Sequence, residues 1–218
     1  MENPPERLPG RRGQAARNDA IILEAARNVF LEDPGAPIAA VAERAGVGFS
    51  ALYRRYPSKE QLLRRLCHDG LKRFIAEADT GLTDTDGWRG LTGFIERIVD
   101  ADVHSLTVRL AGTFTPTPEM HEDSMRANAL AVKLVERAHE SGRLRHDVVP
   151  DDLELLLEGC AAIRLPDPQR TRELRKRYLT LLMKGMSAGD AEPLPGPPPT
   201  PHELNWRWAP RAASAANS

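Results

Sequence analysis

Between residues 15 and 187 apolar side chains recur at intervals of three and four, and Gly and Pro cut the pattern into segments. That period belongs to helices that bury one stripe. Alternating Val/Ile/Thr-rich runs, which a sheet would need, are absent. The chain is therefore expected to be all-α. Its punctuation predicts helices over about 17–32, 38–45, 49–55, 58–78, 86–112, 118–140, 151–164 and 168–187. In the first of these Ile21, Ile22, Ala25, Ala26, Val29 and Phe30 make the apolar stripe. No internal repeat is visible.

The two ends read differently. Residues 1–14 are rich in Pro, Gly and Arg without periodicity, and predict a flexible basic arm. Residues 188–218 carry LPGPPPTP and an Ala/Ser-rich end, and predict a disordered Pro-rich tail. Between them the expected division is a head over 15–75, with a helix-turn-helix at about 38–57, and a helical body over 76–187.

The most informative stretch is residues 38–66, IAAVAERAGVGFSALYRRYPSKEQLLRRL. Two short helices flank the turn Gly46-Val47-Gly48, and Gly46 supplies the left-handed backbone that such a turn demands. Ala42, Val47 and Leu52 are expected inside. The outward face then carries Phe49, Ser50, Tyr53 and Arg54, flanked by Arg55 and Tyr56. Arginines at such a place neutralise phosphates or pair with guanine, and tyrosine hydroxyls donate to phosphates. Lys59 falls in the first turn of the next helix, which Ser58 is expected to cap, with Gln61 three residues on. Arg11, Arg12 and Arg17 would follow the backbone or minor groove as an arm. Taken alone, Arg54 and Arg55 also fit an ordinary solvated helix face.

Charge supports a nucleic-acid surface only locally. Net charge is -1, so bulk charge brings no DNA to the chain. Residues 1–70 hold 11 Lys+Arg against 9 Asp+Glu, and the remainder holds 19 against 22.

Residues 17–66 resemble the TetR family of repressors. The resemblance rests on Phe30 at the end of a long first helix, Ala42 to Gly48, then Leu52, Tyr53, Tyr56, Pro57, Ser58, Lys59, Glu60, Leu62 and Leu63. It implies a protomer of nine or ten helices, a homodimer, double-stranded operator DNA bound by both heads, and release by a small-molecule effector. It matches Tyr53 and Lys59 to phosphate contacts, and Phe49, Ser50 and Ala51 to the base-reading start of the recognition helix. Gly48, Ala51 and Arg55 stand where the family often has Ser or Thr, Thr and His. These departures remove two hydroxyls, add a charge and leave the expected fold intact.

For the body, Trp88, Phe94, Ile98 and Phe114, with His104 and His121 as polar groups, are candidates to line a ligand pocket. Ordinary bundle core is the alternative, and Met120 and Met125 belong to the same choice. Leu153, Leu156, Leu157 and Cys160 form one stripe, and Leu174, Tyr178 and Leu181 another. Together they are expected to build an intermolecular four-helix dimer interface, with packing inside one chain as the alternative.

Other classes find no support. GxSxG, HExxH and a phosphate loop are absent, so no catalytic residue and no cofactor is expected. Asp100 and His104 have metal-ligand spacing on a helix, but one such pair predicts no metal site. No membrane span is expected, since no apolar run approaches about 18 residues. Cys67 and Cys160 read as buried, reduced thiols of a cytoplasmic protein. Against the regulator reading stands one rival, a helical protein-partner-binding module with no operator function.

Overall fold

The structure is a computed structural model and describes residues 11–189, 192–200 and 203–204. Among the described residues there are nine helices and no strand. They are α1 (Arg11–Glu32), α2 (Ile38–Ala45), α3 (Phe49–Arg55), α4 (Lys59–Leu82), α5 (Gly87–Asp100), α6 (Val103–Leu110), α7 (Pro118–Glu140), α8 (Pro150–Ala162) and α9 (Pro168–Met186). None of them is long and apolar enough to cross a membrane.

The chain forms two compact units that meet in sequence between Leu66 and Cys67. The sequence reading carried the head to residue 75. α4 is unbroken through this region, so nothing in its pattern marks the division.

In the first unit α1 packs on α2, and α2 on α3. The α1 stripe of Ile22, Ala25, Ala26, Val29 and Phe30 is buried, and Val41, Ala42, Leu52, Leu62 and Leu63 close the same small core. Each of the larger side chains, Val, Leu, Ile or Phe, stabilises the fold by about 1.5–3 kcal/mol. Gly46 adopts φ 64, and its N–H and that of Val47 return to the last carbonyls of α2, on Glu43 and Ala42. A side chain at that φ would be strained, so the turn needs glycine. Ser58 Oγ accepts the Gln61 N–H at 3.2 Å and caps the start of α4 as expected.

α1 begins at Arg11, earlier than the expected residue 17. Arg11, Arg12, Gly13 and Gln14 are therefore helical and not part of an extended arm. Ala15 and Ala16 are strong helix formers, and no Pro lies between Arg11 and Glu32 to stop the helix. Residues 1–10 of the predicted arm lie outside the described residues.

In the second unit α5 is central. Leu91, Phe94, Ile95 and Ile98 are fully buried, and α5 packs on α7 and α9 while α8 packs on α6 and α9. Gly87 starts α5 so close to the end of α7 that a Cβ there would collide with the Arg137 carbonyl. The helix expected over 86–112 is two helices. Asp102 takes φ 50 and breaks the run between α5 and α6. Ser105 Oγ donates to the Asp102 carboxylate, and the buried Arg175 guanidinium of α9 pairs with it at 2.5 Å. Arg175 also donates to the carbonyls of Ile163 and Ala161. The corner is thus set by a partner far along the chain.

Part of the predicted disordered tail is placed against the body. Arg145 donates to the Glu192 carbonyl at 2.7 Å, and the Leu194 N–H donates to Asp147 at 2.8 Å. Arg145 and Asp147 also pair with each other at 2.8 Å, which holds the Asp147 carboxyl well below the usual carboxylate range. Leu204 is buried. Backbone groups captured by a charge pair order a segment that composition alone describes as structureless. Residues 190–191, 201–202 and 205–218 of that tail lie outside the described residues.

Candidate nucleic-acid interface

α3 has a closed side and an open one. Leu52 points into the head core and is fully buried. Tyr53 and Phe49, one turn apart, stand out on the other side, 38% and 52% exposed. Their rings touch, with centroids 4.4 Å apart and planes tilted by 47°. Gly48, Ser50 and Arg54 are exposed with them, and Ala51 is half-buried. Arg54 makes no ion pair among the described residues. A protruding aromatic pair, a hydroxyl and an open guanidinium on a short helix match what a major groove accepts.

The end of α3 is pinned by a residue that sequence reasoning missed. Asp19 of α1 accepts Arg55 through both oxygens, at 2.7 and 3.0 Å, and the Tyr56 hydroxyl at 2.7 Å. The Arg55 guanidinium, helped by the Tyr56 hydroxyl, holds the Asp19 carboxyl below its ordinary value. Burial and the Asp19 oxygen push the Tyr56 phenol above its ordinary value. Two expectations are corrected here. Tyr56 is buried, 6% exposed, and offers no hydroxyl to DNA. Tyr56 follows the buried Leu52 by four residues and stays on that closed side, although its φ of -129° ends the helix there. Arg55 is on the surface, but its charge is committed to Asp19.

Lys59 is half-buried at the start of α4. Its ammonium donates to the Pro34 carbonyl at 2.9 Å and lies 5.1 Å from the centroid of the Phe30 ring. It is held beside the turn after α1. The backbones of Arg11 and Arg12 lie in α1, and their side chains lie outside the described residues.

The residues expected to line a ligand pocket are not brought together. A small cleft in the body is lined by Ile98, Asp102, His104, Ser105, Cys160 and Arg175 among others, so Ile98 and His104 reach it. Phe94 is fully buried in the core. Phe114 is buried but does not line the cleft. Trp88 is half-buried under the Arg143 guanidinium, 5.8 Å from its ring. His121 is exposed in the first turn of α7, where the polar face of the helix points out. Met120 is buried and Met125 is exposed. Asp100 and His104 do not share a helix, because Asp102 breaks it, and Asp100 pairs with Lys176 at 3.3 Å. Cys67 and Cys160 are buried thiols, and burial pushes them up to about 12 and about 11. Both are protonated and inert at neutral pH.

The expected dimer face is corrected in four of its seven members. Leu153, Leu156, Leu157 and Cys160 belong to the chain's own core. The opposite side of α8 shows Leu155, and α9 shows Tyr178 and Leu181, all exposed, with Leu174 half-buried. Leu155 carries no signal of its own, since α8 is apolar on nearly every side.

Comparison with known proteins agrees with this architecture. Residues 22–66 match the family model described as bacterial regulatory proteins, tetR family. Residues 89–188 match the C-terminal domain described as transcriptional regulator SbtR-like. The chain is 30% identical over 171 residues to the HTH-type transcriptional repressor AcnR of Corynebacterium jeikeium, which covers 70% of this chain and 84% of that one. A TetR transcription regulatory protein from Mycobacterium vanbaalenii has a similar fold, with a TM-score of 0.55, 25% identity and coverage of 81% and 99%. A TetR-family structure from Streptomyces coelicolor, CprB, superposes with a TM-score of 0.60 at 17% identity, covering 81% of this chain and 92% of that one.

Proposed function

The chain belongs to the TetR family of transcriptional regulators, DNA-binding proteins without enzymatic activity, and we propose that it is a cytoplasmic homodimeric repressor released from its operator by a small apolar ligand. The observation that carries the DNA contact is the open side of α3. Phe49, Ser50, Tyr53 and Arg54 are presented together by a helix whose other side is locked by Leu52 and whose end is tied to Asp19.

In this reading Phe49, Ser50 and Ala51 meet base edges, and Arg54 takes a phosphate or a guanine. Tyr53 and Lys59 hold the backbone on either side. Gly48 lets the DNA backbone come close. Arg55 acts through Asp19, as a brace that fixes the angle of α3. Two heads read one operator when their recognition helices stand about 35 Å apart or a multiple of that. A ligand releases the operator only by binding more tightly to a body conformation in which that spacing is lost. α4 runs without a break from Lys59 to Leu82, which makes it the natural lever. The described cleft offers apolar Ile98 and Val99 beside polar His104 and Ser105, a suitable mouth for such a ligand once the body opens.

The test is a fluorescence-anisotropy titration of duplex DNA from upstream of the chain's own gene. Wild-type protein is expected to bind, and Arg54→Ala to weaken binding by roughly 5- to 150-fold, as loss of one good base or phosphate contact of about 1–3 kcal/mol requires. Unchanged affinity in Arg54→Ala combined with Tyr53→Phe would remove α3 from the interface. Failure of the wild type to bind any duplex at low salt would favour the partner-binding module.

A further inference from the structure

Three side chains from two helices of the body turn their donor atoms toward one point. His68 stands on α4, and Glu119 and Asp123 stand one turn apart on α7. His68 Nε2 lies 2.8 Å from Asp123 Oδ2 and 3.8 Å from Glu119 Oε1. All three donor atoms fall within 4.8 Å of one another. An ion bound at about 2.0–2.2 Å by N and O ligands holds neighbouring donors roughly 3.3 Å apart in tetrahedral geometry. The side chains already stand close to that spacing.

The charges point the same way. His68 and Asp123 form a hydrogen-bonded pair, and the second carboxylate beside it adds negative charge that a bound cation would offset. Lys72 supplies part of that charge, with its ammonium 3.2 Å from Glu119. The imidazole is largely sheltered, its side chain 13% exposed, while the Glu119 side chain is 67% exposed. One side is therefore enclosed by protein and the other is open to an arriving ion.

We propose that His68, Glu119 and Asp123 form a binding site for a divalent first-row transition ion of the Zn2+ class, with water in the remaining position. One imidazole with two carboxylates suits such ions better than Mg2+ or Ca2+, which take oxygen donors alone. The ion displaces the Lys72 ammonium from Glu119 and ties α4 to α7.

The experiment uses the untagged full-length chain, stripped with chelator and then titrated calorimetrically with Zn2+. One ion per chain is expected, with a rise of a few degrees in the melting temperature at saturation. Glu119→Gln and Asp123→Asn are each expected to weaken binding 10-fold or more. Lys72→Met is expected to tighten it, because the competing ammonium is gone, and a misfolded variant would not give that gain. Binding that is unchanged in the Glu119→Gln/Asp123→Asn double variant would assign the ion to other histidines and overturn the site. So would the absence of saturable binding in the wild type, or weaker binding in Lys72→Met.

Discussion

Asp19 shows how one carboxylate sets the side that α3 presents. It sits on α1, 36 residues before Arg55, and accepts from Nε and Nη2 of Arg55 and from the Tyr56 hydroxyl. Sequence spacing contains no trace of that pairing. The exposed residues Phe49, Ser50, Tyr53 and Arg54 were legible because they lie within α3, where helical periodicity assigns sides. Tyr56, four residues after the buried Leu52, belongs by the same periodicity to the closed side; what spacing does not show is the Asp19 carboxylate that satisfies its hydroxyl. Asp19→Ala is expected to cost the head about 1–3 kcal/mol, since it leaves the buried Tyr56 hydroxyl without its acceptor. Amide exchange in α1–α3 measures that loss locally. The pH dependence has a definite sign. The Asp19 carboxyl is depressed in the folded head. Its contribution is therefore complete above the unfolded value of about 3.9 and disappears as pH falls through the lower folded value. The gap between wild type and Asp19→Ala should be open at neutral pH and close in strong acid. A gap that stays constant throughout would mean that the carboxylate charge is not what holds Arg55 and Tyr56. Tyr56 acts at the other end, because its phenol is raised. Its contribution is complete below about 10 and is lost as pH rises through the folded value.

Helix ends were legible where the chain itself stops the helix. α2, α3 and α7 begin and end where Gly46, Pro57, Pro118 and Gly142 predict. The α5–α6 corner was not legible. Apolar residues continue from Trp88 to Leu110 in helical register, and no Gly or Pro falls near residue 102. A tertiary contact overrides the local pattern there, since the buried Arg175 needs the Asp102 carboxylate and α9 delivers it to that place. Asp102→Ala should therefore be severe. It leaves a buried guanidinium without its counter-charge, a loss of about 3–5 kcal/mol, and puts a poor residue at a positive φ. Asp102→Asn should cost less, because Asn tolerates the left-handed conformation and keeps an acceptor. Thermal melts of the two variants rank them, and equal melting temperatures would show that the corner does not depend on the Arg175 pair.

For the molecule as a whole, the proposed repressor function depends on whether two copies assemble. α3 is seven residues long, and a helix of that length can reach only a few base pairs, so the proposed operator recognition calls for two copies held together. α8 and α9 carry apolar residues that their own chain leaves uncovered, namely Leu155, Tyr178 and Leu181. Helical periodicity alone did not select them. α8 is leucine-rich on both sides, and only the packed body decides that Leu153, Leu156, Leu157 and Cys160 go inside while Leu155 stays out. Leu155→Asp combined with Leu181→Arg changes two exposed residues and leaves the core untouched. The pair is expected to keep the helical content and melting behaviour of each chain but to sediment as a monomer. Because linking two half-site readers raises overall affinity by about 10²–10⁴-fold, the monomer should lose operator binding by a comparable factor while its heads stay folded. A double variant that remains a dimer would move the interface away from α8 and α9. A monomer that binds the full operator undiminished would break the link between assembly and recognition on which the repressor reading depends.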